Sequence, residues 1–414
     1  DNSSRTSKWI EIIRTTNPEQ NMNKVKAGDI QSTAVTVTWT PGIQADAIVC
    51  TPSAANSSAK TVTYTLTATD ISSGSATVTG LEPETSYRAT LKLGEKTRGY
   101  STFTTNLDLR DAIQLTPTDD WVTAIQDAAA GSKFALAAGE YTLTSAKLQI
   151  NNNVTIAAQN SGNLPVINTC IHINNGSSLY LYQVVMDGTG TDGSQAIEYK
   201  TAGGFGDLII SGSEIRNYVK GLIYINVAAV ANTIKIENSI IHDIECSGGD
   251  FIDSRSGGWN NLIISSSTFY SCSAKRDILR ADDASSKVSA SMITSIDKCT
   301  FYNVGNGNAN YRFFYLRFPG NTNTFTNNVV ANFDNTRGFA NSTSVGVPSY
   351  SNNYYYNCKN LTSQAEGNTQ PNLTCFDTEG NILDKNPFAD PDNADFTITD
   401  ELFQSYGFGD PRWY

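Results

Sequence analysis

The 414-residue sequence has few of the side chains from which metal sites are usually built. It contains only two histidines, His172 and His242, and none of its seven cysteines lies in a CxxC pair. Zinc sites cluster such ligands, so a zinc site is not expected. The cysteines are widely spaced and odd in number, which favours buried thiols over a disulfide framework.

Positive charge and long apolar runs are also scarce. The 29 Lys and Arg against 40 Asp and Glu give a net charge of −11, whereas a nucleic-acid surface needs a dominant basic field. No apolar run approaches the roughly 18–20 residues that cross a bilayer, and the opening DNSSRTSKW has no hydrophobic signal segment. With 39% hydrophobic residues the chain can build a substantial core, and its length predicts two domains.

Residues 25–106 read as a series of short strands. The stretch AVTVTWTPG (34–42) alternates apolar and polar residues and ends at a Pro-Gly pair, and similar stretches follow it. Short strands at this spacing predict an antiparallel β-sandwich. We interpret residues 1–24 as a tether that precedes it.

This first segment resembles a fibronectin type III domain. Trp39 matches the core tryptophan of an early strand, and Leu81, Pro83 and Tyr87 match the segment that ends in the tyrosine corner. The resemblance implies a spacer or docking module without chemistry of its own.

A short helix is predicted to open the second domain, 119–414, after a linker at 107–118. Acidic residues suited to a helix N-terminus precede Trp121, Ile125 and Ala128, which recur at helical spacing. The segment resembles the start of a pectate-lyase-like β-helix, in which a short helix caps the first coil.

A sequence template then recurs every 25 to 32 residues to the end of the chain. It reads apolar, any, apolar, two polar, a small residue or Asn, any, apolar. One turn of a parallel β-helix needs about this many residues, and stacked turns bury a continuous column of side chains. We therefore predict an all-β protein, with a right-handed parallel β-helix after the sandwich. The small position, where stacked side chains can satisfy polar groups at the bends, is occupied by Ser213, Ser239, Ser267, Cys299, Asn328 and Asn353.

Each coil carries a second strand, and these strands align as AIEYK, LIYIN, FIDSR, ILRAD and YLRFP. Alternate residues of a strand point the same way, so one set must face inward, because the other choice buries arginines. Neighbouring coils lie about 4.8 Å apart, which predicts that Arg255, Arg280 and Arg317 form one exposed patch. The predicted inward residues are Ile197, Tyr199, Ile223, Ile225, Ile252, Ser254, Leu279, Ala281, Leu316 and Phe318.

This patch predicts binding of an acidic polysaccharide. Guanidinium groups match uronate carboxylates bidentately, and aromatic faces stack on sugar rings. In the alternative interpretation, Asp253, Arg280 and Asp282 pair with one another across coils as a solvated ladder. The other predicted binding residues, on the same face or on its loops, are Lys200, Tyr224, Trp259, Lys275, Arg276, Tyr311 and Arg312.

The strands DFIDSRS and RDILRAD also resemble the catalytic face of the chondroitinase B and alginate lyase family. The resemblance places Arg255 at the position of the family's lysine base and Arg280 at its arginine. Two departures weaken it, because arginine keeps its proton at ordinary pH and the family's His-Gly is replaced by Ala-Asp. No cofactor is expected beyond a calcium ion that Asp253 and Asp282 could bind.

The order of the two domains resembles that of surface glycan-binding lipoproteins of gut-bacterial polysaccharide utilisation systems. The resemblance implies binding of an acidic polysaccharide for uptake at the cell surface, in an outer-membrane lipoprotein or in the periplasm, beside an outer-membrane glycan transporter. The alternative function is that of a polysaccharide lyase that cleaves a uronic-acid polymer by β-elimination. A purely structural role as a spacer or adhesin is the third interpretation.

Overall fold

The computed structural model describes residues 19–54, 58–340, 346–363 and 375–414. The chain divides into two compact units, Asp1–Asp108 and Leu109–Tyr414. Among the described residues, no helix is long and apolar enough to cross a membrane. All seven cysteines are buried and form no disulfide, which confirms the prediction of buried thiols.

The first unit consists of antiparallel strands around one hydrophobic core. Its elements are β1 (Ala34–Thr38), β2 (Ala47–Pro52), β3 (Val62–Thr65), α1 (Ala68–Ser73), β4 (Ser75–Thr79), β5 (Ser86–Leu93) and β6 (Lys96–Thr104). Strand β1 pairs with β4, and the other strands form a sheet in the order β3–β2–β5–β6. Trp39, Leu81 and Tyr87 are buried in the core, and the Tyr87 hydroxyl accepts a hydrogen bond from the backbone N–H of Glu82 at 3.1 Å. The assignment to fibronectin type III stays a prediction.

Two predicted boundaries differ from the structure. The end of the predicted tether belongs to the first unit, because the backbone N–H of Asn21 donates to the carbonyl of Arg98 at 2.9 Å and Met22 pairs with Trp39. Residues 1–18 of that tether lie outside the described residues. The predicted linker, in turn, contains the first strand of the second unit.

The second unit is built almost entirely of short strands. Its first part contains β7 (Ile113–Leu115), α2 (Trp121–Gln126), β8 (Ser132–Leu136), β9 (Glu140–Ile150), β10 (Val154–Ala158), β11 (Val166–Ile173), β12 (Leu179–Tyr182), β13 (Val185–Asp187), β14 (Ile197–Tyr199), β15 (Gly203–Phe205), β16 (Leu208–Ser211), β17 (Glu214–Arg216), β18 (Ile223–Ile225) and β19 (Ala229–Glu237). The middle part contains β20 (Ile240–Ile244), β21 (Ile252–Ser254), β22 (Gly258–Ser265), β23 (Thr268–Cys272), β24 (Leu279–Ala281), β25 (Ile293–Asp297), β26 (Thr300–Val304) and β27 (Phe314–Leu316). The last part contains β28 (Thr322–Thr326), β29 (Val329–Ala331), β30 (Ser349–Ser351), β31 (Tyr354–Tyr356), α3 (Lys359–Thr362), β32 (Asn381–Ile382), β33 (Phe388–Asp390), β34 (Asp395–Ile398) and α4 (Glu401–Tyr406).

Apart from the antiparallel pair β33–β34, these strands stack in parallel, as the repeat predicted. One sheet runs β7–β8–β10–β12–β16–β19–β22–β25–β28–β30. In the other, the long strand β11 belongs to two faces, because its start pairs with β13 and its end pairs with β14. One face continues through β17, β20, β23, β26, β29 and β31, and the other through β18, β21, β24 and β27. The parallel β-helix is therefore confirmed.

The first coil is closed by the predicted helix. The Asp120 side chain accepts a hydrogen bond from the backbone N–H of Thr123 at 3.2 Å, which caps α2, and Trp121, Ile125 and Ala128 are buried against the core. Before it, β7 pairs with β8 inside the predicted linker.

A polar ladder runs through the bends at the predicted positions. All six side chains are buried. The backbone N–H groups of Ser213, Ser239, Cys299 and Asn328 each donate to the ladder side chain of the next coil. Ser213 donates to Oγ of Ser239 and Ser239 to Oγ of Ser267, both at 3.1 Å. Asn328 accepts from the Cys299 N–H at 2.8 Å and its own N–H donates to Oδ1 of Asn353 at 3.0 Å. The ladder satisfies backbone groups that the bends would otherwise leave unpaired inside the core.

Replacing Asn353 with alanine should destabilise the β-helix by about 3 kcal/mol, because several buried groups lose their partners at a cost of about 1–3 kcal/mol each. The Asn353 amide donates to the carbonyl of Phe325 at 2.7 Å and to Oδ2 of Asp377 at 3.0 Å, in addition to accepting from Asn328. Chemical denaturation measures the loss. Ser351→Ala, an exposed change in the same coil, is the control, and an equal effect of both variants would contradict the role of the ladder.

Candidate functional site

The outward side of β14, β18, β21, β24 and β27, hereafter the strand face, carries the predicted arginines. The strand register places Glu198, Tyr224, Asp253, Arg280 and Tyr315 in one column. The chain then continues in each coil to Lys200, Asn226, Arg255, Asp282 and Arg317, which follow the strand ends. All ten predicted inward side chains are buried, which confirms the facing of these strands.

The predicted alignment of the last strand is wrong by two residues. Arg317 was expected opposite Arg280, but the register pairs Arg280 with Tyr315 and Ala281 with Leu316. Arg317 therefore lies opposite Asp282 and not opposite Arg280. A shift of two residues keeps the inward and outward sides, since the side-chain period of a strand is two.

Every arginine of the strand face is engaged by aspartates. Arg255 Nε donates to both carboxylate oxygens of Asp253 at 3.0 Å, and Arg280 Nε donates to Oδ1 of Asp282 at 2.9 Å. Arg317 Nη2 donates to the same Asp282 oxygen at 2.5 Å. Arg280 and Asp282 thus pair with each other, as the alternative interpretation expected, but within one coil, whereas the pair of Arg317 with Asp282 crosses from one coil to the next.

A buried carboxylate joins two of these coils from below. Asp250 is 1% exposed, and its Oδ2 accepts from Arg255 Nη2 at 3.2 Å and from Arg280 Nη1 at 3.3 Å. Burial raises the pKa of Asp250, with a further increase from the charge of Asp253. Asp253 is also 1% exposed although its strand position faces outward. The network of arginine–aspartate pairs on the strand face is therefore partly buried, whereas the alternative interpretation expected it to be solvated.

These pairs remove the predicted surplus of positive charge. On the strand face and directly below it, four cations meet four carboxylates. The cations are Lys200, Arg255, Arg280 and Arg317, and the carboxylates are Glu198, Asp250, Asp253 and Asp282. The patch is electrically neutral, so the prediction of a basic patch made of Arg255, Arg280 and Arg317 is wrong.

Arg312 was predicted to be a loop residue that binds ligand, and this is also wrong. It is 5% exposed, and its Nε donates to Oδ1 of Asp277 at 3.1 Å, which also accepts from the Arg312 backbone N–H at 2.9 Å. Burial raises the pKa of Asp277 to about 6. Asp277 and Arg312 each lie two positions before the first inward residue of the following strand, Leu279 or Phe314, so alternation turns both side chains inward.

Two tyrosines supply the aromatic surface of the strand face. The Tyr315 ring is surrounded by guanidinium groups, with the Cζ atoms of Arg312, Arg317 and Arg280 at 3.9, 4.6 and 5.3 Å from its centroid. Tyr224 is half-buried, and among the described residues it makes no hydrogen bond or ring contact. Unlike the Tyr315 ring, the Tyr224 ring makes no cation–π contact with a described residue.

Trp259, in contrast, is a core residue and not a sugar-stacking one. It lies in β22, is fully buried, and its Nε1 donates to Oγ1 of Thr294 at 3.3 Å. Trp259 was expected in a loop, but it lies in strand β22, whose burial pattern is not a simple alternation: Gly258 and Trp259 are buried, the next two residues are half-buried, and Leu262 is buried again.

The two loop cations lie where they were predicted. Lys275 is exposed and Arg276 half-exposed, and neither forms an ion pair with a residue in the described part of the chain. The Arg276 guanidinium lies 5.7 Å from the centroid of the Tyr311 ring, which was also expected near this face.

The lyase assignment meets an electrostatic obstacle. A base must give up a proton before it can take one, but the hydrogen bonds to Asp253 raise the pKa of Arg255. Burial lowers the pKa of Arg280, but its pairs with Asp282 and Asp250 more than offset this, and its pKa is raised. Asp253 and Asp282, the expected calcium ligands, already accept from guanidinium groups, which disfavours a cation between them. Among the described residues, no group of three or more His, Cys, Asp or Glu is placed to hold a metal ion.

Sequence reasoning missed four residues of this site. Asp250, Asp277 and Tyr315 belong to its charge network, and His172 joins its column because His172 of β11 pairs with Glu198, with Nε2 at 3.5 Å from the carboxylate. A usable signal existed, since Asp250, Asp277 and Arg312 each lie two positions before the first inward residue of their strand, on the same side of the alternation.

Two family models match the β-helix. A domain of unknown function (DUF4957) matches residues 139–272, and another domain of unknown function (DUF5123) matches residues 294–413. No curated protein matches the chain. The family descriptions name no activity.

Among solved structures, the chain is similar to a family 28 exopolygalacturonase of Yersinia enterocolitica, with 12% identity and a TM-score of 0.35 over 82% of this chain and 74% of that one. It is also similar to the catalytic domain of a GH87 α-1,3-glucanase in complex with nigerose, with 12% identity and a TM-score of 0.28 over 86% and 91% of the two chains. Similarity at this level carries no information about activity.

Proposed function

We propose that the chain binds an extended polysaccharide containing acidic sugars, and that the polymer lies along the strand face. The observation that supports this most directly is the regular column of polar and aromatic side chains on consecutive coils. Neighbouring coils repeat about every 4.8 Å, so the face offers polar or aromatic groups at a regular spacing along one line. A polymer with repeating units can use such a line, whereas a small ligand needs a single deep pocket.

The paired charges suit sugar hydroxyls better than they suit charge attraction. A hydroxyl both donates and accepts, and each Arg–Asp pair presents N–H donors and carboxylate oxygens side by side. The pairs also hold these side chains in place before binding, which lowers the conformational entropy lost in the complex. The accessible ring of Tyr224 adds a surface on which a sugar ring can stack.

The cellular context proposed for this activity follows from the resemblance in domain order. In this proposal the protein is a lipoprotein at the bacterial cell surface or in the periplasm, and it works beside an outer-membrane glycan transporter. Protease accessibility of the native protein in intact cells tests the location. Co-purification with a transporter after cross-linking tests the partner.

Replacing Tyr224 with alanine should weaken polysaccharide binding about tenfold, because an aromatic contact contributes about 0.5–1.5 kcal/mol beyond its buried area and about 1.4 kcal/mol corresponds to a factor of ten. Affinity electrophoresis and calorimetry with polygalacturonate, alginate and glycosaminoglycans measure the effect. The matched control is Tyr180→Ala, which removes a half-buried tyrosine from the other parallel sheet. Equal binding by both variants, or no binding by the wild type, would refute the proposed site.

A further inference from the structure

We infer that the acidic groups of the polysaccharide are recognised by a basic loop patch, defined as Lys275, Arg276, Tyr311 and Arg337, rather than by the arginines of the strand face. The inference rests on the proposed function and names the part of the site that gives it preference for an anionic sugar. It also adds Arg337, which is half-exposed, to the binding residues.

The patch is formed by turns of three consecutive coils. The Gly307 N–H donates to the carbonyl of Ala274 at 2.9 Å, and the Arg337 N–H donates to the carbonyl of Tyr311 at 3.2 Å. The first two turns lead directly into β24 and β27, so the patch borders the strand face. A polymer on that face can therefore contact the patch at the edge of the face.

The side chains of the patch lie across neighbouring turns. The Arg276 guanidinium is 5.7 Å from the Tyr311 ring centroid, within the range of a cation–π contact. A Cβ at Gly307 would lie 2.4 Å from Cγ of Lys275, so the Lys275 stem rests against the space that this glycine leaves. These contacts orient two cations on the surface without neutralising them.

Charge separates the patch from the strand face. Lys275, Arg276 and Arg337 form no ion pair within the described parts of the chain, whereas the strand-face arginines bind aspartates. Within the three turns, residues 273–277, 305–312 and 334–338, the buried Asp277 is paired with Arg312, and the one exposed carboxylate is Asp334, which accepts the Asn308 N–H at 2.6 Å. Three cations against this one carboxylate leave a local surplus of two positive charges.

This difference decides where an anion binds. A carboxylate or sulfate that takes over the N–H donors by which Arg255 or Arg280 already binds an aspartate would displace that aspartate, and Asp250 and Asp253 would then be left buried without their countercharge, at a large cost. At the basic loop patch no pair has to break. The guanidinium forks of Arg276 and Arg337 can hold two oxygens of one anionic group, and Lys275 adds a compact positive charge.

The triple variant Lys275→Ala, Arg276→Ala, Arg337→Ala tests the inference by calorimetry at low and moderate salt. With polygalacturonate we expect on the order of 100-fold weaker binding, from three exposed contacts, and a smaller salt dependence. Fully methyl-esterified polygalacturonate, which is neutral, should bind the variant and the wild type alike. Chondroitin sulfate and its desulfated form distinguish recognition of sulfate from recognition of carboxylate. The control triple Lys60→Ala, Arg88→Ala, Lys92→Ala removes the same charge from the first unit and should bind as the wild type does.

The outcomes separate the two proposals. If the patch variant binds polygalacturonate as well as the control triple does, while Tyr224→Ala weakens binding, the patch is refuted and the strand face stands. Equal wild-type affinity for the acidic and the esterified polymer also refutes the patch alone. Absence of binding to any of the polymers refutes the proposed function itself. Because the three cations are exposed or half-exposed, thermal unfolding of the variant should match that of the wild type.

Discussion

Replacing Asp277 with alanine is expected to lower the free energy of unfolding by about 3–5 kcal/mol, the range for removal of one member of a buried ion pair. Asp277 and Arg312 are both nearly inaccessible to solvent, and one carboxylate oxygen accepts from the Arg312 side chain and from its backbone N–H. The variant takes this carboxylate away from a guanidinium that stays buried. Urea denaturation measures the loss.

Two further variants identify the cause. Asp277→Asn keeps an oxygen that can accept both hydrogen bonds and removes only the charge, so its loss should be smaller than that of the alanine variant. Asp283→Ala removes an exposed aspartate whose bonds go to Ser285, and should cost less than about 1 kcal/mol. If Asp277→Ala costs no more than Asp283→Ala, the buried pair does not stabilise the coil.

The Asp277–Arg312 pair also bears on binding, because Arg312 lies under a ring of the strand face. Its guanidinium is 3.9 Å from the Tyr315 ring centroid, and the same ring contacts Arg280 and Arg317. The interior of the coil thus supports the position of three side chains on the surface. Structural support and ligand contact are separate roles here. Tyr224, which makes no cation–π contact with a described residue, is the better test of ligand contact.

The repeat made the β-helix predictable. The residue at the bend must be small or able to satisfy neighbouring backbone groups, and this requirement recurs once per coil whatever the ligand is. Ser213, Ser239 and Asn328 therefore identified the coils, and the alternation in each second strand identified which side faces the core. Both signals arise from local constraints that a single sequence contains.

The charge balance of the site was not predictable in the same way. Arg280 pairs with Asp282 two residues on, but its second partner, Asp250, lies thirty residues earlier along the chain and on the neighbouring coil. The net charge of a patch depends on the exact register of several coils, and an error of two residues moved Arg317 from one neighbour to another. Loop residues such as Arg337 carry no periodic signal, so only the folded turns bring them together with Tyr311.

Replacing Trp259 with alanine should cost about 3–5 kcal/mol of stability, the usual range for removing a large buried aromatic side chain, because the indole fills the core of its coil. The hydrogen bond from its Nε1 to Thr294 is lost as well. The sequence alone predicted that Trp259 stacks on a sugar. Because an unfolded variant cannot bind, this prediction is tested by measuring the affinity of a Trp259 variant that still folds.

Trp259→Leu provides that measurement. Leucine keeps an apolar side chain in the core but has no aromatic ring, so we expect a stability loss smaller than that of the alanine variant and unchanged affinity for polygalacturonate at a temperature where the variant is folded. Tyr224→Ala should show the reverse, with little loss of stability and weaker binding. A Trp259→Leu variant that is fully folded but binds tenfold more weakly would show that the indole reaches the ligand, and would place the binding line on a different face of the helix.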